Sequence, residues 1–269
     1  MRIHVVQLAY GDDEPVADRV DRASAVVREQ RGADLVVLPE LWAHGAFAYR
    51  TWAERAETLD GPSVTALAEA ARDIGASVHA GSIVERSPGP EGKNLWNTSV
   101  VLDGDGAVVA TYRKIHRFGF GKGEPALMEA GTSIVTCRLP LSEDRPGQGC
   151  VTTGLATCYD LRFPEMFRLL LDAGARLIVV PAAWPEARVG HWNLLGRARA
   201  VENQCVVVQC NTAGTHAGVR MGGCSQVVAP DGEVLAEAER AEDVLAVDVD
   251  VAQVDAYRAS FPVLADRRL

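Results

Sequence analysis

The stretch Val151-Thr-Thr-Gly-Leu-Ala-Thr-Cys158-Tyr-Asp-Leu-Arg-Phe-Pro-Glu165 holds an apolar run, a cysteine, and a turn that leads into a helical pattern. Residues 151–157 read as a buried strand and 159–165 as a turn into a helix. A thiol between a strand end and a helix start lies near unpaired backbone N–H groups and the positive end of the helix dipole, a placement that favours thiolate. Two other polar residues close apolar runs in the same way. Glu40 follows Ala33-Asp-Leu-Val-Val-Leu-Pro39, and Lys114 follows Ala107-Val-Val-Ala-Thr-Tyr-Arg113. In open α/β architectures ligand sites gather beyond the carboxyl ends of strands, so a nucleophile, a base and a cation are expected at one sheet edge.

Outward from that stretch, strand and helix patterns alternate. Residues 3–9 are β-branched, and 15–31 carry Val16, Val20, Ala23 and Val27 at helical spacing. A strand is expected at 35–38. A second helix begins at Ser63 after Gly61-Pro62, with Val64, Leu67, Ala71 and Ile74 on one face and Gly75 as C-cap. Strands follow at 78–84, 98–102 and 107–112, the last two joined by the hairpin signal Asp103-Gly-Asp-Gly106. The second half repeats the idea, with helices at 164–173 and 192–203 and strands at 177–180 and 206–209. A hairpin around Pro230-Asp-Gly232, a strand at 244–249 and a short final helix complete it. This alternation implies a mixed sheet covered by helices, and the hairpins and strand number imply more than one sheet. No Pro- or Ser-rich linker divides the 269 residues, so a single domain over 1–269 is expected.

A hydrophobic fraction of 48% and a charged fraction of 23% fit a globular chain. The formal charge of −9 works against nucleic-acid binding, because phosphates are repelled over most of the surface. The basic segment Arg113-Lys-Ile-His-Arg-Phe-Gly-Phe-Gly-Lys122 reads either as a solvated loop or as a positive mouth for small anions. Six cysteines show no CxxC and no zinc-ligand spacing. No signal-peptide pattern opens the chain, and no apolar stretch approaches the roughly 18 residues of a membrane span. A cytoplasmic protein with free thiols, no membrane association and no metal is expected. Gly119-Phe-Gly-Lys-Gly123 lacks the third glycine of a dinucleotide fingerprint and the Ser/Thr of a P-loop, so it reads as a loop near the site mouth. Neither HExxH nor Gly-x-Ser-x-Gly occurs.

Leu38-Pro39-Glu40, Tyr112-Arg-Lys-Ile-His116 and Gly154-Leu-Ala-Thr-Cys158-Tyr-Asp-Leu-Arg-Phe-Pro-Glu165 resemble the three signature blocks of the nitrilase superfamily of carbon–nitrogen hydrolases. Further matches are Arg197-Ala-Arg-Ala-Val-Glu-Asn203, Gly223-Cys-Ser-Gln-Val-Val-Ala-Pro-Asp-Gly232 and Pro262-Val-Leu-Ala-Asp-Arg-Arg268, so the resemblance covers nearly the whole chain. It implies an α/β fold, a four-layer αββα sandwich, that dimerises or assembles further through helices near the active site. It also implies roles. Glu40 is the general base, Cys158 the nucleophile on an amide carbonyl, and Lys114 the oxyanion partner together with the Tyr159 N–H. A thioester forms, ammonia leaves, water hydrolyses the thioester, and no cofactor is needed. Glu124 is the expected accessory carboxylate, seven residues before Gly131, with Glu129 as its competitor.

Trp184-Pro-Glu-Ala-Arg188-Val-Gly-His191-Trp192 resembles the segment of the omega-amidase and 2-oxoglutaramate amidase branch, whose substrates carry a carboxylate remote from the amide. The resemblance implies Trp184 as a pocket wall and Arg188 or Arg162 as the carboxylate partner. This chain has Ala183 and Thr212-Ala213 where that branch often has Asn and Arg-Val. The expected activity is hydrolysis of the terminal amide of a small carboxylate-bearing substrate such as a 2-oxo acid amide. Alternatives within the superfamily are an N-carbamoyl amino acid amidohydrolase and a deaminated glutathione-type amidase. A nitrilase is disfavoured because Tyr159 stands where nitrilases commonly carry Trp. A non-catalytic interaction subunit would have no need of Glu40, Lys114 and Cys158 together.

Overall fold

The computed structural model describes residues 1–141 and 149–268. The first half comprises β1 (Arg2–Gln7), α1 (Val16–Arg28), β2 (Leu35–Val37), α2 (Trp52–Arg55), α3 (Pro62–Ile74), β3 (Ser77–Arg86), β4 (Leu95–Leu102) and β5 (Val108–Arg113). Next come α4 (Glu124–Leu127), β6 (Val135–Pro140), β7 (Cys150–Leu155), α5 (Pro164–Asp172), β8 (Leu177–Ala182), α6 (Val189–Asn203) and β9 (Val206–Asn211). The chain ends with β10 (Thr215–His216), β11 (Val219–Arg220), β12 (Gln226–Val228), β13 (Val234–Glu237), β14 (Asp243–Asp248) and α7 (Ala252–Ser260). One six-stranded sheet has the order β14-β1-β2-β3-β4-β5, and the second has β13-β12-β9-β8-β7-β6.

The central strands β2 (LVV) and β8 (LIVVPA) are buried throughout, as continuous apolar runs covered on both faces must be. One core lies between the sheets, where Ile3, Val5, Leu35 and Val37 meet Leu155, Val179 and Val207, and it continues over Phe167, Leu170 and Trp192 beneath α5 and α6. The other core packs Val20, Ala23 and Val27 of α1 and Val64, Leu67 and Ala71 of α3 on Val36, Leu38, Val78 and Val100. Each fully buried Val or Leu contributes about 1.5–3 kcal/mol. The result is helix, sheet, sheet, helix, the four-layer sandwich expected.

Local signals account for the boundaries. Pro62 opens α3, and Gly75 at φ 65° closes it, its N–H returned to the Ala71 carbonyl at 2.8 Å. The β4–β5 turn is closed by the Asp103 N–H on Ala107 O at 3.0 Å, while Asp103 Oδ1 accepts the N–H groups of Asp105 and Ala107. Three expectations are corrected. The strand before the cysteine ends at Leu155 rather than at 157 and leads into a short 3₁₀ turn, Cys158–Arg162, while the α-helix that follows opens at Pro164 as expected. Helix α6 begins at Val189, three residues before Trp192. Strand β6 was not foreseen: its edge position leaves it only partly covered, and its sequence VTCRLP lacks an apolar run.

Candidate active site

Glu40 lies three residues past β2, in a turn where Leu41 adopts φ 46°. The Leu41 N–H donates to Ser82 Oγ at 3.1 Å, Trp42 Nε1 to the Ala80 carbonyl at 2.9 Å, and buried Arg19 to the Trp42 carbonyl at 3.1 Å. Gly81, at φ 68°, passes so close beneath that a Cβ would run into the Pro39 carbonyl oxygen. Lys114 follows β5 directly, its N–H donating to the Asn97 carbonyl of β4 at 2.9 Å. Cys158 opens the 3₁₀ turn at φ 47°, a left-handed conformation that side-chain-bearing residues enter at a cost of about 1–2 kcal/mol.

A buried carboxylate holds that conformation. Asp160 accepts the Thr157 N–H at 2.8 Å, the Tyr112 hydroxyl at 2.7 Å, the His116 N–H at 3.0 Å and His116 Nδ1 at 2.8 Å. The His116 ring in turn stacks on Phe163 with centroids 3.8 Å apart. Asp160 thereby ties the chain on both sides of Lys114 to the chain on both sides of Cys158.

The chemistry-bearing side chains converge out of water. Lys114 Nζ lies 2.7 Å from Glu40 Oε1 and 3.0 and 2.9 Å from the two Glu124 oxygens. Asn97 Nδ2 donates to Glu40 Oε1 at 2.8 Å and to Glu124 Oε1 at 2.6 Å. The Ala183 N–H reaches Glu40 Oε2 at 2.9 Å, and the Phe118 N–H reaches Glu124 Oε2 at 2.6 Å. Glu40, Lys114, Glu124 and Cys158 are all buried. The competing carboxylate, Glu129, is buried elsewhere and accepts the N–H groups of Glu91, Lys93 and Asn94, so it braces a loop.

Burial pushes the Glu40 carboxyl up, but the Lys114 ammonium, the Cys158 thiol and the Ala183 N–H hold it below the usual carboxylate range. Burial and the neighbouring Glu40 charge raise Glu124, against the pull of Lys114. Burial also works against the Lys114 charge, yet Glu124 and Glu40 overcome it and raise the ammonium well above its ordinary range. Cys158 is the correction. Burial first, and then the Glu40 charge, raise its thiol well above the ordinary value, so the resting group is a thiol set against a carboxylate. The expectation of thiolate weighed the helix end but neither the burial nor the Glu40 charge. A 3₁₀ turn of five residues also supplies little dipole.

These groups form the floor of a partly enclosed cleft. Glu40, Lys114, Glu124, Cys158, Tyr159, Arg162, Trp184 and Arg188 all line it. Trp184 is locked by Nε1 donating to the Arg188 carbonyl at 2.8 Å and by its N–H on Asn211 Oδ1 at 2.6 Å. The Arg162 guanidinium lies 4.6 Å from the Trp184 ring centre, and that of Arg188 5.6 Å from Phe118. Among the described residues neither arginine has a carboxylate partner. Within the basic segment 113–122, Arg113 pairs with Glu85 and Arg117 with Glu91, and of the three cations Arg113, Lys114 and Arg117 only Lys114 lines the cleft.

Sequence reading missed Asn97, Asp160, Tyr49 and Phe118. The signal for Asn97 was a lone amide inside the otherwise strand-forming LWNTSVVL, and for Asp160 the capping pattern Thr157-x-x-Asp160. Among the described residues no group of His, Cys, Asp and Glu is placed to hold a metal ion, and no helix is long and apolar enough to cross a membrane. All six cysteines are unbridged.

A thiol, carboxylates and an ammonium gathered at one edge of a four-layer αββα sandwich place the chain by fold and site together, and residues 2–259 match the carbon–nitrogen hydrolase family, to which the chain belongs. Among its relatives, a 2-oxoglutaramate amidase of Paenarthrobacter nicotinovorans is 45% identical over 99% of this chain and 89% of its own length. Human omega-amidase NIT2 is 33% identical over 99% of this chain and 95% of its own. Solved structures agree. A CN-hydrolase superfamily protein from Xanthomonas campestris with an arsenic adduct in its active site superposes with TM-score 0.87 at 29% identity, over 100% of this chain and 97% of that one. A mutant amidase from Nesterenkonia sp. AN1, showing Michael addition of acrylamide at its active-site cysteine, gives 0.77 at 30% identity over 97% and 98%.

Proposed function

We propose that the chain hydrolyses the terminal amide of a small carboxylate-bearing substrate, a 2-oxo acid amide such as 2-oxoglutaramate, to the acid and ammonia. The observation that carries this reading is the cleft itself. A thiol, a carboxylate and an ammonium lie at its floor, and two arginines that have no carboxylate partner among the described residues stand on its walls. The relative at 45% identity, a 2-oxoglutaramate amidase, supports the same substrate.

The roles follow from the contacts. Cys158 attacks the amide carbonyl while its proton passes to Glu40. The oxyanion that forms is held by Lys114 Nζ and the Tyr159 N–H. Glu40 returns the proton to the amide nitrogen, the C–N bond breaks and ammonia leaves a Cys158 thioester. Water then attacks, Glu40 takes its proton, and collapse of the second tetrahedral adduct releases the acid and restores the thiol. Glu124 anchors Lys114 throughout. Trp184 walls the pocket, and Arg162 or Arg188 pairs with the substrate carboxylate.

Assembly as a homodimer belongs to the same proposal. Leu194 and Val201, two turns apart on α6, and Leu169 on α5 are 65%, 47% and 53% exposed, an apolar face suited to a second copy. Sedimentation should return twice the chain mass. Six unbridged thiols suit a reducing, cytoplasmic setting. The deciding experiment measures ammonia release from 2-oxo acid amides, N-carbamoyl amino acids, deaminated glutathione, neutral aliphatic amides and nitriles. Turnover should be greatest with the 2-oxo acid amides, and activity confined to nitriles or N-carbamoyl compounds would overturn the reading.

A further inference from the structure

We propose that Asn97 is a positioning residue of the reaction: the fixed donor that holds the Glu40 and Glu124 carboxylates in register while Lys114 turns to the oxyanion. The proposal rests on Glu40 acting as the base. An amide is out of character in β4, where all eight residues are buried and asparagine is a poor strand former. Its two Nδ2 hydrogens are divided, one to Glu40 Oε1 at 2.8 Å and one to Glu124 Oε1 at 2.6 Å. Those two oxygens are also gripped by Lys114 Nζ. The backbone completes the link, since the Asn97 carbonyl accepts the Lys114 N–H at 2.9 Å.

Hydrogen counting shows why a second donor is needed. An ammonium has three hydrogens. Lys114 makes three contacts, one to Glu40 and two to Glu124, so binding an oxyanion requires it to give up at least one. When the contact released is the one to Glu40, Oε1 keeps only Asn97. Oε2 keeps the Ala183 N–H, so the carboxylate stays held by one donor on each oxygen while it receives the thiol proton. A neutral amide performs this holding without competing with the ammonium for the oxyanion charge. Among the described residues its own buried Oδ1 has no hydrogen-bond partner, so both hydrogens of the amide, and not its oxygen, face the carboxylates.

The prediction is a shift in pH dependence. Other groups facing these carboxylates are Lys114, Cys158 and the phenols of Tyr10, Tyr49 and Tyr112, which burial raises above the ordinary tyrosine range and so keeps neutral. Asn97 donates to the ionised carboxylates, so removing it raises their titration. In Asn97→Ala the acid limb of kcat/KM should move up by about one pH unit, the effect of one hydrogen bond to an ionised group. At the same time kcat should fall roughly 10–100-fold while KM stays within about twofold. If thermal melting shows Asn97→Ala unfolded, Asn97→Ser carries the same test. An acid limb coincident with wild type in a folded variant overturns the proposal whatever happens to kcat, because a merely structural role would leave the limb in place. Glu40→Gln run in parallel separates the two levels. It should be inactive, and full activity would sink the base assignment and this proposal with it.

Discussion

Replacing Asp160 by Asn changes one atom and should damage both stability and turnover. Oδ1 accepts the His116 N–H and Nδ1, and Oδ2 accepts the Tyr112 hydroxyl and the Thr157 N–H, all in a fully buried position. An amide keeps one oxygen and turns an NH₂ toward two former donors. The Tyr112 hydroxyl can rotate to accept, but the Thr157 N–H cannot. With hydrogen bonds to a charged group worth about 1.5–3 kcal/mol each, the loss is about 3 kcal/mol. In a chain of this size that lowers Tm by roughly 6–12 °C. The Thr157 bond also holds the left-handed turn at Cys158, so kcat should fall about 100-fold, as expected for displacement of a reacting atom by about an ångström. Differential scanning calorimetry and steady-state ammonia release measure both. A variant that melts within about 1 °C of wild type and turns over within about twofold would refute the claim that this carboxylate sets the nucleophile.

Other outcomes follow from the same geometry. Glu40 is held below the usual carboxylate range and Lys114 far above the usual ammonium range, so activity is present above the carboxylate titration and lost as pH falls through it. The kcat/KM profile should show one acid limb that reports Glu40 and Glu124 as a pair and no alkaline limb in the ordinary thiol range, and an alkaline limb near pH 9 would contradict this. Arg188→Leu and Arg162→Leu, assayed side by side, should show at least one variant whose KM for 2-oxoglutaramate rises about tenfold or more while a neutral short amide is affected less than about twofold. Equal losses on both substrates would count against carboxylate recognition. Gly81→Ala forces a side chain into the Pro39 carbonyl at a left-handed position, so it should displace Glu40 and abolish most activity. Retention of wild-type kcat would show that the Glu40 turn tolerates that shift.

What the sequence made legible was the set of residues that close apolar runs. Glu40, Lys114 and Cys158 each follow such a run, and strand-end placement alone was enough to expect them at one edge. The two sheets were legible as a class because hairpins and helix-linked strands alternate. Residues that act sideways were not. Asn97 reaches the carboxylates from the middle of a strand, and Asp160 bridges segments 44–48 residues apart, neither of which a local pattern encodes. The state of the thiol was misread for a related reason. A helix end is visible in sequence, whereas burial and the proximity of Glu40, 118 residues away, exist only in the fold. Strand β6 escaped because its partner β7, rather than its own composition, makes it a strand.

The central claim is a covalent thioester on Cys158, and it is tested most directly by acid-quenching the protein during turnover of a slow amide and measuring its intact mass, followed by peptide mapping. The wild-type protein should gain the mass of the acyl group on the peptide bearing Cys158, and Cys158→Ala should gain nothing and release no ammonia. An acyl group on any other residue, or turnover by Cys158→Ala at the wild-type rate, would contradict the account.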